Sequence, residues 1–311
     1  MPDHSMQAIR IHEYGGPEQL VLETLPCPEP KGNEVLVRIL SAGVNPTDWK
    51  YRSGAMKQYI PLTLPWTPGV DAAGIVEAVG PEVTTLRVGQ AVYGRPNATY
   101  AEYTVAPEGE LAPKPKNLTY NEAAAVPVGA LTAWKSLFDV ANLQLRQRVL
   151  VQGAAGGVGL FAIQLAHWKG AYVIGAASGA NVDLVRALGA DQAIDYRNAP
   201  VETIVNDVDV VIDTVGGEIT DRSLHALRRG GILVTVANQA PEARAESLGV
   251  RAVRGGRAGT DLLPQITVLI EAGTIRPIVG TIYSLEEAAK AQAESQTGHG
   301  RGRIILHIAD Q

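Results

Sequence analysis

Apolar residues fall in short runs along the first third of the chain, and the runs are strand-like. Residues 8–11, 34–39, 73–78 and 90–93 carry Val, Ile, Leu and Ala in strand-length stretches, which predicts β-strands. Turn signals such as Tyr14-Gly-Gly-Pro17 and Pro30-Lys-Gly-Asn33 separate them, and together they predict a compact β-barrel-like domain over about 6–122. The pattern then changes. Thr119-Tyr-Asn-Glu122 reads as a capping box opening an alanine-rich helix. From there to about Arg257 strands alternate with helices, the strands near 149, 172, 192, 209 and 232. Such alternation predicts a doubly wound parallel sheet. A helix around 262–272, a second capping box at Ser284-Leu-Glu-Glu287 and a strand over 303–308 complete the chain. No internal repeat or low-complexity segment interrupts it.

The sharpest local pattern is Arg148-Val-Leu-Val-Gln-Gly-Ala-Ala-Gly-Gly-Val-Gly159, followed by the apolar run 160–166. It reads as buried strand, glycine turn and helix, with Ala154 at the place of the first glycine of G-x-G-x-x-G. Backbone N–H groups around Gly156, Gly157 and Val158 would face a pyrophosphate at the helix N-terminus. No Gly-Lys-Ser/Thr follows, so a nucleoside-triphosphate loop is not expected. The next strand, 171–176, ends at Ser178 where an NAD-binding chain would usually carry a carboxylate for the ribose 2′-hydroxyl. With no acid there to repel a 2′-phosphate, NADP(H) is the expected cofactor. Ser178, Asn181, Tyr196 and Arg197 are the candidates for its adenosine end, with Arg197 the nearest cation. Ser178 and Asn181 also suit the start of a helix over 182–188 that ends at Gly189, and both readings can hold together.

Composition narrows the class. The chain has 311 residues, 46% hydrophobic and 19% charged, enough for two domains and a large core. A net charge of −5 argues against nucleic-acid or anionic-membrane partners. No apolar run reaches membrane-spanning length, and Met1-Pro-Asp-His-Ser-Met6 has neither a basic nor an apolar targeting region, so a cytoplasmic location is expected. The single cysteine, Cys27, forbids an internal disulfide and a multi-cysteine metal site, and its proline-rich setting reads as a passive thiol.

The whole order resembles the medium-chain dehydrogenase/reductase superfamily, in its zinc-free quinone oxidoreductase and enone (2-alkenal) reductase branch. The carriers are Gly43-Val-Asn-Pro-Thr-Asp-Trp-Lys-Tyr-Arg-Ser-Gly54, Pro68-Gly-Val-Asp-Ala-Ala-Gly74, Val88-Gly-Gln-Ala-Val-Tyr-Gly94 and Tyr100-Ala-Glu-Tyr103. Leu131-Thr-Ala-Trp134, the glycine turn, Leu188-Gly-Ala-Asp191 and Gly302-Arg-Ile-Ile305 continue the match nearly to the end. The resemblance implies an α/β chain in which a Rossmann domain (123–261) is inserted into a GroES-like β-barrel catalytic domain (1–122 and 262–311), with the active site in the cleft between them. It also implies a homodimer formed through a sheet edge.

Zinc enzymes of this superfamily carry Cys where Asn45 stands and Gly-His-Glu where Gly69-Val-Asp71 stands. The histidines at 4, 12, 167, 225, 299 and 307 form no ligand pair in sequence, so no metal is expected. Without a Lewis acid an alcohol is a poor hydride donor, whereas a quinone or an activated C=C needs less help. NADPH-dependent reduction of quinones or α,β-unsaturated carbonyls follows as the expected function, on a small-molecule substrate. An enoyl-thioester reductase and a catalytically idle NADPH-binding protein remain the alternatives, and a methyltransferase is disfavoured by Ser178.

The resemblance also places the segment 45–50 at the nicotinamide end. Asn45 is expected to offer an amide to cofactor or substrate, and Asp48 to fix Lys50 or the local backbone. The Lys50 ammonium would anchor the nicotinamide ribose or polarise a carbonyl, although composition alone would make it an exposed loop lysine. Tyr51 and Tyr59 are candidate proton donors or packing residues. Thr132 matches a family threonine near the nicotinamide, and Asn238 a position on the cofactor's inner half.

Overall fold

The computed structural model describes residues 5–256, 258–298 and 300–311; His4, Arg257 and His299 lie outside them. In chain order the first stretch builds β1 (Ser5–Arg10), β2 (Val21–Pro26), β3 (Glu34–Val44), α1 (Pro46–Arg52), β4 (Asp71–Val79), β5 (Ala91–Gly94), β6 (Tyr103–Pro107), β7 (Leu111–Pro113) and α2 (Tyr120–Ala124). The middle follows with α3 (Pro127–Trp134), β8 (Arg148–Gln152), α4 (Gly159–Trp168), β9 (Tyr172–Ala177), α5 (Val182–Ala187) and β10 (Gln192–Asp195). It continues through β11 (Val208–Asp213), α6 (Glu218–Ser223), β12 (Leu227–Thr235), α7 (Glu242–Ser247) and β13 (Arg251–Arg254). The last stretch is α8 (Leu263–Glu271), β14 (Val279–Ser284), α9 (Ala288–Gln296) and β15 (Arg303–His307).

Two compact units emerge. One contains Met1–Val128, Thr260–Glu271 and Pro277–Gln311; the other contains Gly129–Gly259 and Ala272–Arg276. The sequence puts the first boundary at 122/123, six residues earlier. The stretch up to Val128 stays with the first unit, where α2 packs on β3, β4 and β15 and the Val128 N–H donates to Asp71 Oδ1 at 2.9 Å.

The first unit is organised around β3. Eleven residues long and mostly buried, it pairs antiparallel with β4 along one edge. Its other edge is shared, β6 taking residues 34–38 and β15 taking residues 41–44. The resulting seven-stranded sheet closes on a core that includes Ile9, Val37, Ile39, Val76, Val92 and Leu306. The Thr119–Glu122 capping box forms, but the alanine-rich helix it opens is only five residues long. Pro127 starts a separate helix because proline has no N–H to continue the first.

The second unit is a six-stranded parallel sheet of order β10-β9-β8-β11-β12-β13. This is the doubly wound order whose switch point lies between the first and fourth strands, β8 and β11, where ligands bind beyond the carboxyl ends. Val149, Leu150 and Val151 of β8 are fully buried, as a strand covered on both faces requires. The sixth strand, β13, escapes a sequence reading. It is four residues long, with arginine at both ends.

Among the described residues no helix is long and apolar enough to cross a membrane.

Candidate functional site

At the carboxyl edge of the second unit, the glycine turn departs from its sequence reading in one respect. The tight turn is made by Gly153, with φ +69°, rather than at Ala154. A Cβ on Gly153 would lie 2.4 Å from Thr214 Oγ1. Gly159 is excluded from larger residues by close packing, since a Cβ there would sit 2.2 Å from the Gly153 carbonyl oxygen. A Cβ on Gly156, by contrast, would meet only that oxygen, at 3.3 Å. Tight turn, open approach and close helix packing are the three requirements of a pyrophosphate cradle, so the residues fit a dinucleotide. Gly156, Gly157 and Val158 form the first turn leading into α4, with Leu160 N–H bonded to Gly156 O at 3.0 Å. Thr132 lies on α3, which packs closely on this turn: a Cβ on Gly129 would come within 2.5 Å of Gly157 O.

Beyond β9, Ser178 and Asn181 occupy helix-start positions, but neither side chain makes a cap bond to the backbone. Instead Asn181 Nδ2 donates to Ser178 Oγ at 3.0 Å. The serine oxygen thereby accepts from within the fold, and the hydroxyl retains a proton that it can donate. Tyr196 and Arg197 follow β10 and are exposed, the tyrosine 45% so. The end of β9 carries no acid, as the sequence reads, but Asp195 at the end of the neighbouring β10 brings a carboxylate to Gly179. Asp195 receives the N–H of Gly179 and grips Arg197 through both its Nε and Nη2, each at 3.1 Å. The Arg197 hydrogen bonds hold the Asp195 carboxyl below the usual carboxylate range.

On the same edge, buried Asp213 ends β11 and accepts the N–H groups of Val215 and Gly216 at 2.9 and 3.0 Å. Asn238, exposed just past β12, has its side-chain oxygen 3.2 Å from the Thr235 hydroxyl. The cofactor candidates Gly156, Gly157, Val158, Ser178, Asn181, Tyr196, Arg197 and Asn238 thus share the carboxyl edge of one sheet.

The first unit holds the other candidates around a buried polar cluster. Asn45, Asp71 and Arg303 are 1%, 0% and 4% exposed, at the ends of adjoining strands β3, β4 and β15. Arg303 Nη1 donates to Asn45 Oδ1 at 2.9 Å and Nη2 to Asp71 Oδ2 at 2.5 Å. Asn45 Nδ2 donates to Asp71 Oδ2 at 3.0 Å. Both ends of the Asn45 amide are therefore engaged inside the protein, which differs from the sequence expectation of an amide offered to cofactor or substrate. The reason is Arg303, a residue that sequence reading quotes within a motif but gives no role. A charged residue opening an otherwise apolar strand was the available signal.

Asp48 caps the start of α1, accepting the Asn45 N–H and the Tyr100 hydroxyl, each at 2.9 Å. It fixes the local backbone, as one branch of the sequence reading held. Burial pushes its carboxyl up to about 7; those two donors pull down, and Asp71 adds an upward push. At the other end of α1, buried Arg52 donates to Gln292 Oε1 at 2.7 Å and to Gly15 O at 2.6 Å. The helix is anchored at both ends, and Lys50 and Tyr51 lie on its last turn. Lys50 is half-buried, its Nζ 5.6 Å from the Trp49 ring centroid. Tyr51 packs edge-on against Trp66 with ring centroids 6.0 Å apart, while Tyr59 is 72% exposed. Among the described residues no group of three or more His, Cys, Asp or Glu is placed to hold a metal ion.

Comparison with known proteins agrees with this architecture. A family model of the alcohol dehydrogenase GroES-like domain matches residues 31–116, and one of zinc-binding dehydrogenases matches residues 188–306. The quinone oxidoreductase of Mus musculus is 33% identical over 324 residues, covering 97% of each chain. The chloroplastic NADPH-dependent alkenal/one oxidoreductase of Arabidopsis thaliana is 33% identical over 317 residues, covering 97% of this chain and 79% of that one. The solved structure of a quinone oxidoreductase from Coxiella burnetii superposes with a TM-score of 0.90 at 31% identity, covering 98% of this chain and 100% of that one.

Proposed function

Since this chain belongs to the zinc-free quinone and enone reductase branch of the medium-chain dehydrogenase/reductase superfamily, we propose that it reduces quinones or the C=C bond of α,β-unsaturated carbonyl compounds with NADPH. It is a nicotinamide-dependent oxidoreductase acting on small molecules. The observation that carries the choice of reaction is the Arg303 guanidinium between Asn45 and Asp71. Zinc enzymes of the superfamily carry Cys in place of Asn45 and Gly-His-Glu in place of Gly69-Val-Asp71. Here an amide and a guanidinium fill the place, and the Asp71 carboxylate is committed to Arg303, Asn45 and Val128. That donor set does not suit zinc, which wants Cys, His or free carboxylate in tetrahedral array. An electron-poor acceptor that needs no metal to be activated suits it better.

NADPH, when bound, supplies the hydride. The protein's own part divides between the units. Amides of Gly156, Gly157 and Val158 favour the pyrophosphate, where the helix dipole adds to them. The Ser178 proton and the Arg197 guanidinium favour a 2′-phosphate, with Asn181 orienting the serine and Tyr196 flanking the arginine. Thr132 and Asn238 serve the nicotinamide half. Lys50, and Tyr51 beside it, are the donors proposed for the substrate carbonyl, where negative charge develops during reduction. Asn45 acts through α1, whose first turn it joins to Asp71 and Arg303.

A homodimer is proposed along β13, whose outer edge pairs with no strand among the described residues. A cytoplasmic location is likewise proposed.

The test is NADPH consumption by the purified chain against a panel of quinones, enals, enones and enoyl thioesters, in the presence of a chelator. Turnover with the first three classes supports the reading. Turnover confined to thioesters, or none with any class despite NADPH binding, overturns it.

A further inference from the structure

The carboxyl end of β9 carries Ser178 instead of an acid, yet the fold brings an acid to it from the neighbouring strand. β10 pairs in parallel with β9 so that Asp195 lies opposite Ala177, the residue before Ser178. The Asp195 side chain is 15% exposed, and it is held by four donors: the N–H of Gly179, the N–H of Arg197, and Arg197 Nε and Nη2. The pair lies against Gly179. A Cβ there would come within 2.1 Å of Arg197 Nη2 and 2.4 Å of Asp195 Oδ2. With Nε and Nη2 committed, Nη1 of the half-exposed guanidinium is the amino group left to meet a ligand.

A full positive and a full negative charge therefore sit side by side, one residue past the serine. Here a 2′-phosphorylated dinucleotide would differ from one with a free 2′-hydroxyl. The guanidinium attracts a phosphate dianion; the carboxylate repels it and accepts from a hydroxyl. We propose that Asp195 is a specificity-determining residue of the dinucleotide site: its carboxylate holds Arg197 in place and at the same time opposes a 2′-phosphate. The proposal rests on the reading of this sheet edge as the adenosine end of the dinucleotide site. Arg197 draws the site toward NADPH, and Asp195 limits how far.

The direct probes are adenosine 2′,5′-bisphosphate and adenosine 5′-monophosphate, which differ only in the 2′-phosphate and engage only this half of the site. Their dissociation constants are measured by calorimetry on the whole protein, alongside those of NADPH and NADH. Asp195→Asn keeps an acceptor for Gly179 and Arg197 but removes the charge. In this variant the preference for the bisphosphate over the monophosphate rises about tenfold, the change expected for one removed charge contact. In Arg197→Gln it falls about tenfold. A preference in Asp195→Asn that stays within threefold of wild type, or falls, overturns the proposal while leaving the dinucleotide reading intact. Absence of binding by either fragment and by both dinucleotides removes that reading and this proposal together.

Discussion

Arg303 Nη2 stands 2.5 Å from Asp71 Oδ2, both side chains withdrawn from solvent. The pair joins the start of β15 to the start of β4, and Asn45 bridges it to α1. A guanidinium suits the role because its planar fork reaches two acceptors at once. Removing one partner of such a pair leaves a buried charge uncompensated, which typically costs about 3–5 kcal/mol. Arg303→Ala is expected to lower stability by that order, measured as the shift in denaturant midpoint, and Arg303→Lys to recover only part of it. A loss below about 1 kcal/mol would show that the cluster does not hold the strands.

Metal independence follows from the same pair. Elemental analysis of the purified chain is expected to find no stoichiometric zinc, and turnover is expected to survive chelation unchanged. Activity lost on chelation and restored by zinc would contradict it.

Asp48 makes stability depend on pH in an unusual direction. Its carboxyl titrates near 7 in the fold, against about 3.9 for an unperturbed aspartate. Between those values the native chain keeps a proton that the unfolded chain has released. The stability from this group is therefore fully present below about pH 4 and is lost as pH rises through 7, at about 1.4 kcal/mol per unit. Asp48→Asn, whose amide oxygen can still accept from Asn45 and Tyr100, is expected to remove that slope and leave the variant the more stable form at pH 8. Denaturant midpoints across pH 5–8 give the answer, and identical slopes in the two proteins would refute the assignment.

Lys50 carries the proposed contact to the reacting carbonyl. Loss of one preorganised donor typically costs about a hundredfold in turnover, or roughly 3 kcal/mol. Lys50→Ala is expected to lower kcat for enone reduction by that order while changing the Kd for NADPH less than threefold. Lys50→Arg should rescue only part, since a planar guanidinium does not reproduce a compact point charge. Turnover of Lys50→Ala within threefold of wild type would return the residue to an ordinary surface role.

Ser178 is the donor proposed for the adenosine side. NADPH is expected to bind at least tenfold tighter than NADH, which is about 1.4 kcal/mol. Ser178→Asp is expected to invert the order by adding a second carboxylate beside Asp195. Equal dissociation constants in the wild type would remove the basis for the preference.

The fold was legible where local pattern and global layer agree. Val149, Leu150 and Val151 read as a buried strand and are one, and the glycines after them mark the switch point. Legibility ended where a residue's meaning depends on another element. In sequence Ser178 has no acidic neighbour, because Asp195 is seventeen positions away, and only parallel pairing of β9 with β10 brings them to one edge. Asn45 reads as a free amide because its partner Arg303 lies 258 positions downstream. The turn glycine was misread by one residue, Gly153 for Ala154, because positive φ is a property of backbone geometry and not of spacing. Lys50 and Tyr51 became candidates only through family resemblance, since nothing in a helix of seven residues by itself marks a catalytic side chain.

The central claim, hydride delivery to an electron-poor acceptor without metal assistance, is tested most directly by isotope transfer. The chain is incubated with NADPH carrying deuterium at the reactive C4 position and a simple enone, with chelator present, and the reduced product is examined by mass spectrometry and NMR. One deuterium at the β-carbon of the saturated ketone is the result predicted. Saturated ketone without deuterium at that carbon, deuterium at the carbonyl carbon of an alcohol, or no product while NADPH is bound would contradict it.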